Sequence, residues 1–376
     1  MLIKNIELSN FRNYKKLKLD FSPNINIIYG QNAQGKTNLL ESIYYLSKLK
    51  SHRISNDSHL IREDSIKLNL KGVVINNSIE TKYEIILSDN EKKFKIDNDI
   101  IKKISDYVSN IDTIIFYPED LEIIKGSPGI RREYINDELS QLYINYYKIL
   151  SDYNKLLKMK NDYLKNNNYN IDINYLKILN SYFIDKGVII YRMRKKFIDK
   201  INEYCNNIFK TIMGLAGFSL QYIPSIDFDF NDIDNMKKIF KEEIEKNQAD
   251  EFRLKTSIVG PHRDDINFCL NNKDLKKYGS QGQQRIAVLC MKLSEIEIFK
   301  KYKNSTPILL LDDIFSELDD SKKNNLLKYI NNDIQVIITT TDLNKISKKI
   351  LKNSKLIEIN SGKIKTIKEV EKWQKI

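Results

Sequence analysis

The chain has 376 residues, of which 41% are hydrophobic and 30% charged, and it carries a net charge of +12. This composition excludes a mostly disordered chain, and three widely separated cysteines exclude a disulfide framework, which favours a reducing compartment. No apolar run reaches the roughly 20 residues that a membrane-spanning helix needs, so we expect a cytoplasmic protein without membrane contact. The positive charge favours a polyanionic partner, nucleic acid before anionic lipid, although an AT-rich coding bias would raise the lysine content equally well.

The first third of the chain is typical of strands arranged around one helix. Apolar and polar residues alternate near the start, and a short apolar run stops at Gly30. Period-two alternation indicates half-buried strands, whereas apolar residues three and four apart indicate a helix. The predicted elements are strands over 2–21 and 25–29, a helix over 38–49, and several short strands over 66–117 with turns at 76–78 and 89–90.

The middle of the chain changes to a helical pattern. Apolar residues spaced alternately by three and four positions predict a helix with a heptad seam over 139–163. A polar break at 166–168 and a second helical stretch over 173–212 suggest an antiparallel hairpin, which is compatible with a protruding arm or with a plain helical subdomain. The seam consists of Leu139, Leu142, Tyr146, Ile149, Tyr153 and Leu156.

The last third alternates between strands and helices, as in an α/β domain. The predicted strands cover 218–230, 264–270, 307–312 and 334–341, the predicted helices cover 283–300, 317–331 and 343–352, and a strand pair surrounds Gly362.

The strongest local signal is a complete G-x-x-x-x-G-K-[ST] motif between a buried strand and a helix. Glycines let backbone N–H groups surround phosphate oxygens, and the helix start adds its positive dipole. We expect Lys36 to reach the β- and γ-phosphates of ATP and the Thr37 hydroxyl to bind Mg²⁺. The predicted ATP-binding residues here are Gly30, Gln31, Asn32, Ala33, Gln34, Gly35, Lys36, Thr37 and Asn38.

A second signal is the apolar run 308–311, which ends in Asp312 and Asp313. Ligand sites of open parallel sheets lie at the carboxyl ends of the strands. We expect Asp312 to hold Mg²⁺ and Asp313 to act as the general base that polarises the attacking water. The pattern is weak alone, but together with the glycine motif it predicts one metal–nucleotide site.

A third signal, the stretch 278–285, resembles the signature sequence of the ABC ATPases in its S-x-G-Q form. It supplies Ser280, Gly282 and Gln283, and it lies about thirty residues before Asp312. In that class the signature of one domain closes over the γ-phosphate held by another, and a helix starting there would direct its N-terminus at phosphate. The stretch 316–319 is similar to the loop that couples the two sites. The stretch 339–342 stands where a switch histidine is common, and no histidine occurs in it.

The long insert between Lys36 and Asp312 resembles the SMC-like branch, which interrupts the ATPase head with an arm. The whole chain is identified as similar to the RecF family of bacterial recombination and repair ATPases. That resemblance depends on segments spread over the chain, namely 10–14, 30–38, 116–121, 125–128 with Arg131 and Arg132, 260–265, 279–285 and 311–319. It implies an α/β fold, an ABC/SMC-type P-loop ATPase head with an inserted helical arm subdomain. In that architecture we expect 1–120 to be the N-terminal part of the head, 121–255 the helical arm, and 256–376 the C-terminal part of the head.

The resemblance also implies a function. A member of this family would bind ATP and Mg²⁺, form an ATP-dependent homodimer, and bind single-stranded, duplex and gapped DNA without sequence preference. It would act as a weak DNA-dependent ATPase switch with RecR and RecO in placing the RecA recombinase and in the SOS response. Lys36 and Asp313 would be the catalytic residues, and Arg12 would reach a phosphate of the bound nucleotide.

Several readings stay open. Arg12 could instead form a structural ion pair or hold the first strands to the signature helix, and Arg263, Asp264 and Asp265 suit a buried charge network. His262 suits a packed or capping role, and the segment 116–121 could report nucleotide state or simply end a strand at its proline. The competing functions are the motor subunit of a membrane transporter, an SMC-like scaffold and a metabolic P-loop kinase. The presence of a long insert argues against the transporter subunit. An arm of about three heptads is too short for an SMC scaffold, and the S-x-G-Q element argues against a metabolic kinase.

Overall fold

A computed structural model describes residues 1–88, 91–108, 110–167, 171–316, 318–330 and 333–368. The strands within these residues are Leu2–Phe11 (β1), Tyr14–Asp20 (β2), Ile25–Tyr29 (β3), Lys67–Asn76 (β4), Ile79–Ser88 (β5), Glu91–Ile96 (β6), Asp99–Ile101 (β7), Thr113–Phe116 (β8), Phe218–Ile223 (β9), Asp265–Leu270 (β10), Lys273–Asp274 (β11), Ile308–Leu311 (β12), Val336–Thr340 (β13), Ser354–Asn360 (β14) and Lys363–Lys368 (β15). The helices are Lys36–Lys48 (α1), Ser105–Val108 (α2), Glu122–Lys125 (α3), Pro128–Leu142 (α4), Ile144–Asn166 (α5), Ile173–Met213 (α6), Ile233–Lys246 (α7), Gln248–Leu254 (α8), Leu275–Tyr278 (α9), Gln281–Lys303 (α10), Asp320–Tyr329 (α11) and Lys348–Leu351 (α12).

The chain divides into two compact units. Unit 1 comprises Met1–Asp120, Ile208–Leu215 and Leu289–Ile376, and unit 2 comprises Leu121–Asn207 and Ala216–Val288. Residues 256–288 thus lie in unit 2, whereas the sequence grouped them with the C-terminal part of the head. The functional division into head and arm stays a prediction. Within the described residues no helix is both long and apolar enough to cross a membrane.

Unit 1 contains two six-stranded sheets. One is antiparallel, with the strand order β2-β1-β4-β5-β6-β7, and the other has the order β15-β14-β3-β13-β12-β8. In the second sheet β14, β3, β13, β12 and β8 are parallel, and only β15 is antiparallel to its neighbour. Strands β3, β12 and β13 therefore end at the same edge of one sheet, where a ligand site of an open parallel sheet is expected.

Helix α1 packs against strands of both sheets of unit 1. Its side chains are buried over almost the whole circumference, including the polar Glu41 and Ser42. A helix that is buried all round belongs to the interior of a large domain. The core cluster of this unit accordingly combines apolar residues of both sheets with those of α1.

Unit 2 combines helices with the three-stranded antiparallel sheet β11-β10-β9. The predicted continuous helix over 139–163 is wrong, because the chain breaks at Tyr143 between α4 and α5. Tyr143 adopts an extended conformation, and its hydroxyl accepts a hydrogen bond from Lys200 at 2.8 Å. Leu139 and Leu142 therefore belong to a different helix from the rest of the predicted seam. The long second helix is confirmed as α6.

Several other predictions need correction or lie partly outside the described residues. The strand predicted over 218–230 ends at Ile223, since Pro224 follows and cannot donate a ladder hydrogen bond. The helix predicted over 343–352 shortens to the four residues of α12, and α7 was not predicted. The predicted turn at 89–90 and the last residue of the break at 166–168 lie outside the described residues.

Candidate functional site

The glycine motif connects β3 to α1 at the carboxyl edge of the parallel sheet. Gly30 has φ = 154°, and a Cβ added there would lie 2.3 Å from the backbone oxygen of Ile359 on the neighbouring strand β14. Gly35 has φ = 110° and immediately precedes the first residue of α1. Both positions favour glycine, because their positive φ angles are disfavoured for residues with a side chain. At Gly30 a side chain would in addition clash with the backbone of Ile359.

The segment 10–14 supports the glycine loop. Asn13 donates its side-chain N–H to the Gln34 carbonyl at 3.1 Å, and the Tyr14 hydroxyl donates to the Gly35 carbonyl at 2.9 Å. The β14–β15 turn holds the same loop through Gly362 N–H, which donates to the Gln34 carbonyl at 3.0 Å. The segment 10–14 therefore has a structural role, because its side chains hold the glycine loop in a fixed conformation without any ligand.

Lys36 lies at the start of α1 and is largely buried. Its ammonium donates to the carbonyls of Gly30 at 2.8 Å and Gln31 at 2.7 Å, so two of its three N–H groups have acceptors among the described residues. Burial lowers the pKa of Lys36, and the nearby Asp313 and Asp312 partly oppose that effect. The cation lies in the same cavity as the two carboxylates.

Thr37 and Asp312 meet across the site, as the sequence predicted. The Thr37 hydroxyl donates to the Asp312 carboxylate at 3.0 Å, although the two residues are 275 positions apart. Asp312 follows β12, and its backbone N–H donates to the Phe116 carbonyl of β8 at 2.8 Å. Burial raises the pKa of Asp312, while hydrogen bonds from Thr339 and Thr37 lower it.

Asp313 has a left-handed backbone with φ = 48°. Its backbone N–H donates to the Thr339 hydroxyl at 3.0 Å, and the same hydroxyl donates to Asp312 at 2.5 Å. Thr339 of the adjacent strand β13 thus contacts the carboxylate of Asp312 and the backbone of Asp313.

These groups line one cavity of about 210 Å³. The Thr37 hydroxyl and the Asp312 carboxylate are hard oxygen ligands. Such a pair suits Mg²⁺, which in nucleotide sites keeps several waters and also binds the phosphates of the nucleotide. The residues present therefore fit a magnesium–nucleotide site. The lining residues are Asn32, Ala33, Gly35, Lys36, Thr37, Asn38, Arg53, Asp312, Asp313, Thr339 and Thr341.

Arg12 forms a structural ion pair. Its guanidinium donates to both carboxylate oxygens of Glu41 at 2.8 and 2.9 Å, and Ser51 donates to the same carboxylate at 2.5 Å. Burial alone would raise the pKa of Glu41, but the hydrogen bonds from Arg12 and Ser51 hold it below its ordinary value. Arg12, in the turn between β1 and β2, thus forms a structural ion pair with Glu41 of α1. Its contact with a phosphate or with the signature helix stays a prediction.

A second cavity of about 600 Å³ adjoins the first, since Asn38 and Arg53 line both. Arg12, His59 and Arg62 also line it.

Sequence reasoning missed Arg53, because Arg53 belongs to no motif and only the fold brings it to the glycine loop. It identified the stretch 339–342 but did not distinguish Thr339 from the two threonines that follow it.

Ser280 and Gln283 cap the long helix α10. The Ser280 hydroxyl accepts from the Gln283 N–H at 3.2 Å, and the Gln283 side chain accepts from the Ser280 N–H at 2.9 Å. This reciprocal pair is a capping box, which satisfies orphan donors at a helix start. Gly282, between them, has no steric need for glycine, because a Cβ added there would meet no atom within 4 Å. These three residues lie in unit 2.

The segment 260–265 forms a buried charge network in unit 2. Arg194 donates to Asp264 at 2.8 Å, and Arg131 donates to both carboxylate oxygens of Asp265 at 2.5 and 3.0 Å. His262 is half-buried, its Nδ1 lies 2.7 Å from the Tyr153 hydroxyl, and partial burial lowers its pKa to about 4. Asp264 and Asp265 thus take part in ion pairs, as the sequence favoured, whereas Arg263 is exposed and donates to the Ser257 carbonyl at 2.8 Å.

Two other predicted segments have contacts of their own. Asp120, in the segment 116–121, pairs with Lys292 of α10 at 2.5 Å, and both side chains are buried. In the segment 316–319 the Asp319 side chain caps α11 by accepting from the Lys322 N–H at 2.9 Å. Glu317, the other acidic residue of that segment, lies outside the described residues. Whether either segment couples sites stays a prediction.

Comparisons with known proteins show which proteins the chain resembles. The family described as RecF/RecN/SMC N terminal domain matches residues 2–366. The chain is 39% identical to the DNA replication and repair protein RecF of Oenococcus oeni (strain ATCC BAA-331 / PSU-1), over 96% of this chain and 99% of that protein. It is also 39% identical to the RecF protein of Lactobacillus johnsonii (strain CNCM I-12250 / La1 / NCC 533), over 97% and 99%.

Solved structures are similar as well. A structure of the recombination mediator protein RecF with ATP in the RecFOR pathway has a TM-score of 0.90 and 32% identity, covering 98% of this chain and 97% of that chain. An SMC head bound to the C-terminal winged-helix domain of ScpA has a TM-score of 0.56 at 17% identity, with both chains fully covered. The second likeness is one of fold alone.

Proposed function

The chain belongs to the RecF family of DNA replication and repair proteins, and we propose that it is an ATP-controlled DNA-binding protein of recombinational repair. ATP binding drives its dimerisation on DNA, and slow hydrolysis releases it, so that the chain is a weak DNA-dependent ATPase used as a switch. The single observation that carries this proposal is the meeting of Thr37 with Asp312 beside Lys36 in one cavity.

We assign the roles around ATP as follows. The glycine loop 30–38 and Lys36 hold the phosphates, and Thr37 and Asp312 would hold Mg²⁺. A bound Mg²⁺ would neutralise charge on the phosphates and orient them. Asp313 accepts the proton of the attacking water as general base. The adjoining cavity beside Arg12 and Arg53 takes the nucleoside part of ATP, because it continues from the phosphate cavity.

Dimerisation through the signature accounts for an otherwise unexplained glycine. Gly282 lies in the first turn of α10, has no positive φ, and has open space where a side chain would be. Nothing in the described chain therefore demands glycine there. The close approach of a nucleotide held by a second copy would demand it, in the way that phosphate approaches a helix start. Ser280 and Gln283 shape that helix start through their capping box.

DNA is the proposed polyanionic partner, recognised through its backbone because no base-reading module occurs in the sequence. Family membership extends the proposal to single-stranded, duplex and gapped DNA, to cooperation with RecR and RecO, and to support of RecA loading and the SOS response in the cytoplasm. The net charge of +12 supports an electrostatic contribution to DNA binding.

The test is binding of the full chain to single-stranded, duplex and gapped DNA, each with and without ATP and Mg²⁺. We expect ATP to increase binding, and we expect log K on duplex DNA to fall by about 0.9 per neutralised phosphate for each unit of log salt. Lipid vesicles are the matched control for the transporter alternative. Binding to vesicles but not to DNA, or a flat salt response, would contradict the proposal.

A further inference from the structure

Thr339 occupies a buried position at the carboxyl edge of the parallel sheet. It lies on β13, one residue after Ile338, which pairs with Leu311 on β12. Its side chain is fully buried. A buried hydroxyl needs hydrogen-bond partners, since leaving it unpaired costs the full desolvation of the group, and its partners therefore indicate what the residue does.

Both partners of the Thr339 hydroxyl belong to the pair of carboxylate residues. The hydroxyl donates its hydrogen to Asp312 at 2.5 Å and accepts the backbone N–H of Asp313 at 3.0 Å. A hydroxyl has one hydrogen and two acceptor lone pairs, so its single donor is committed to Asp312. Thr339 is therefore specifically bonded to both residues.

The two bonds have different consequences. The bond to Asp312 reaches the same carboxylate oxygen that Thr37 contacts at 3.0 Å, so two hydroxyls fix the orientation of that carboxylate. The bond from Asp313 supports a left-handed backbone with φ = 48°, a conformation that is unfavourable for a residue with a side chain because Cβ comes too close to the following carbonyl oxygen. Without that bond, the direction of the Asp313 side chain would be set less firmly.

We propose that Thr339 is a positioning residue for ATP hydrolysis, which orients Asp312 toward the metal and Asp313 toward the attacking water. This inference rests on the proposed function. It gives the end of β13, where a switch histidine is absent, a role that acts through the two carboxylates rather than on the nucleotide itself.

The neighbouring Thr340 provides a matched control. It lies on the same strand and is also fully buried. Its hydroxyl likewise donates once and accepts once, but both bonds go to the backbone of Asp342, at 3.1 and 3.3 Å. Thr340→Val and Thr339→Val therefore remove the same group from the same strand, and only the second removes bonds to Asp312 and Asp313.

The experiment compares the full chain with Thr339→Val, Thr339→Ser and Thr340→Val. The measurements are ATP hydrolysis in the presence of DNA, binding of a fluorescent ATP analogue as Mg²⁺ is titrated, and thermal unfolding. Loss of a partner that orients a metal ligand typically costs about 10–100-fold in metal affinity or activity. We expect a loss of that size for Thr339→Val in kcat or in the Mg²⁺ concentration for half-maximal binding. Binding of the analogue without Mg²⁺ should stay within about threefold of the parent, because Lys36 and its loop are intact, a change well below the 10–100-fold range. Thr339→Ser should restore most of the lost activity.

Three results separate the possible failures. Equal losses in Thr339→Val and Thr340→Val would show a general effect of the strand and overturn the inference. Parent-like kcat and Mg²⁺ dependence in Thr339→Val would overturn it too, while leaving the proposed function intact. A parent chain that binds no ATP would instead refute the proposed function, and the inference with it.

Discussion

Gly282→Ala is expected to leave the chain folded while weakening its ATP-dependent association. An added Cβ meets no atom of the chain within 4 Å, and alanine is favoured over glycine inside helices by about 0.8–1.0 kcal/mol. The isolated chain should therefore be as stable as the parent or slightly more stable. The proposed role of Gly282, however, is to let the nucleotide of a second copy come close to α10.

The size of the effect on association follows from crowding at that interface. A methyl group added to a well-packed contact costs about 1–3 kcal/mol, which corresponds to a dissociation constant raised roughly 5- to 160-fold. Sedimentation velocity with ATP and Mg²⁺, over a range of protein concentrations, measures this constant directly. Thermal unfolding without nucleotide measures the stability of the chain. Gly282→Ala is a sharper probe than a change at Ser280, because Ser280 also caps α10.

Gly30→Ala is the matched substitution with the opposite expected result. Its Cβ would lie 2.3 Å from the Ile359 oxygen, and Gly30 has φ = 154°. Overpacking and backbone strain each cost about 1–3 kcal/mol, so we expect a chain destabilised by roughly 2–6 kcal/mol. If Gly282→Ala dimerises with ATP at the parent concentration, the first turn of α10 does not face a second copy. If it unfolds as Gly30→Ala does, the open space at Gly282 is misjudged.

Three other substitutions test separate parts of the reasoning. Lys36→Ala should abolish tight ATP binding in equilibrium dialysis without unfolding the chain, because the phosphates lose their nearest cation; unchanged affinity would refute the role of the loop. Asp313→Asn should bind ATP and dimerise normally but hydrolyse it about 10²–10⁴-fold more slowly, and hydrolysis at the parent rate would place the base elsewhere. His52→Phe should reduce the loss of stability in acid, measured by thermal unfolding from pH 7 to pH 4. Burial lowers the pKa of His52 to about 4 from 6.5, so the unfolded chain takes up a proton within this window that the folded chain does not, and stability falls as the pH is lowered. Neither ring nitrogen of His52 has a hydrogen-bond partner among the described residues, so phenylalanine should be tolerated at pH 7, and an unchanged acid profile would contradict the prediction.

The parts of the fold that the sequence predicted well are those that local patterns control. The strand before Gly30, the helix after it and the strand before Asp312 are all present at nearly the predicted positions. The glycine motif needed no tertiary information, because positive φ angles and close backbone approach restrict those positions to glycine. The α/β class and the parallel sheet followed from the same alternation of strands and helices.

Elements controlled by packing were predicted less well. The heptad pattern ran through Tyr143 because no proline or glycine marks a break there, and the contact with Lys200 that accompanies the break comes from a distant helix. Helix α7 was overlooked although Met236, Phe240 and Ile244 give it a buried face at helical spacing. A periodic pattern shows that a face will be buried, but the tertiary structure decides what buries it.

The site itself shows the same division. From the sequence alone, Lys36, Thr37, Asp312 and Asp313 could be named, because each stands in a recognisable motif. Which hydroxyl would orient the carboxylates could not be named, since residues 339–341 are chemically identical. The register of β13 against β12 places the first threonine against both carboxylate residues and turns the second toward Asp342. Side-chain direction alternates along a strand, so pairing between strands, and not residue type, decides which threonine contacts both carboxylate residues.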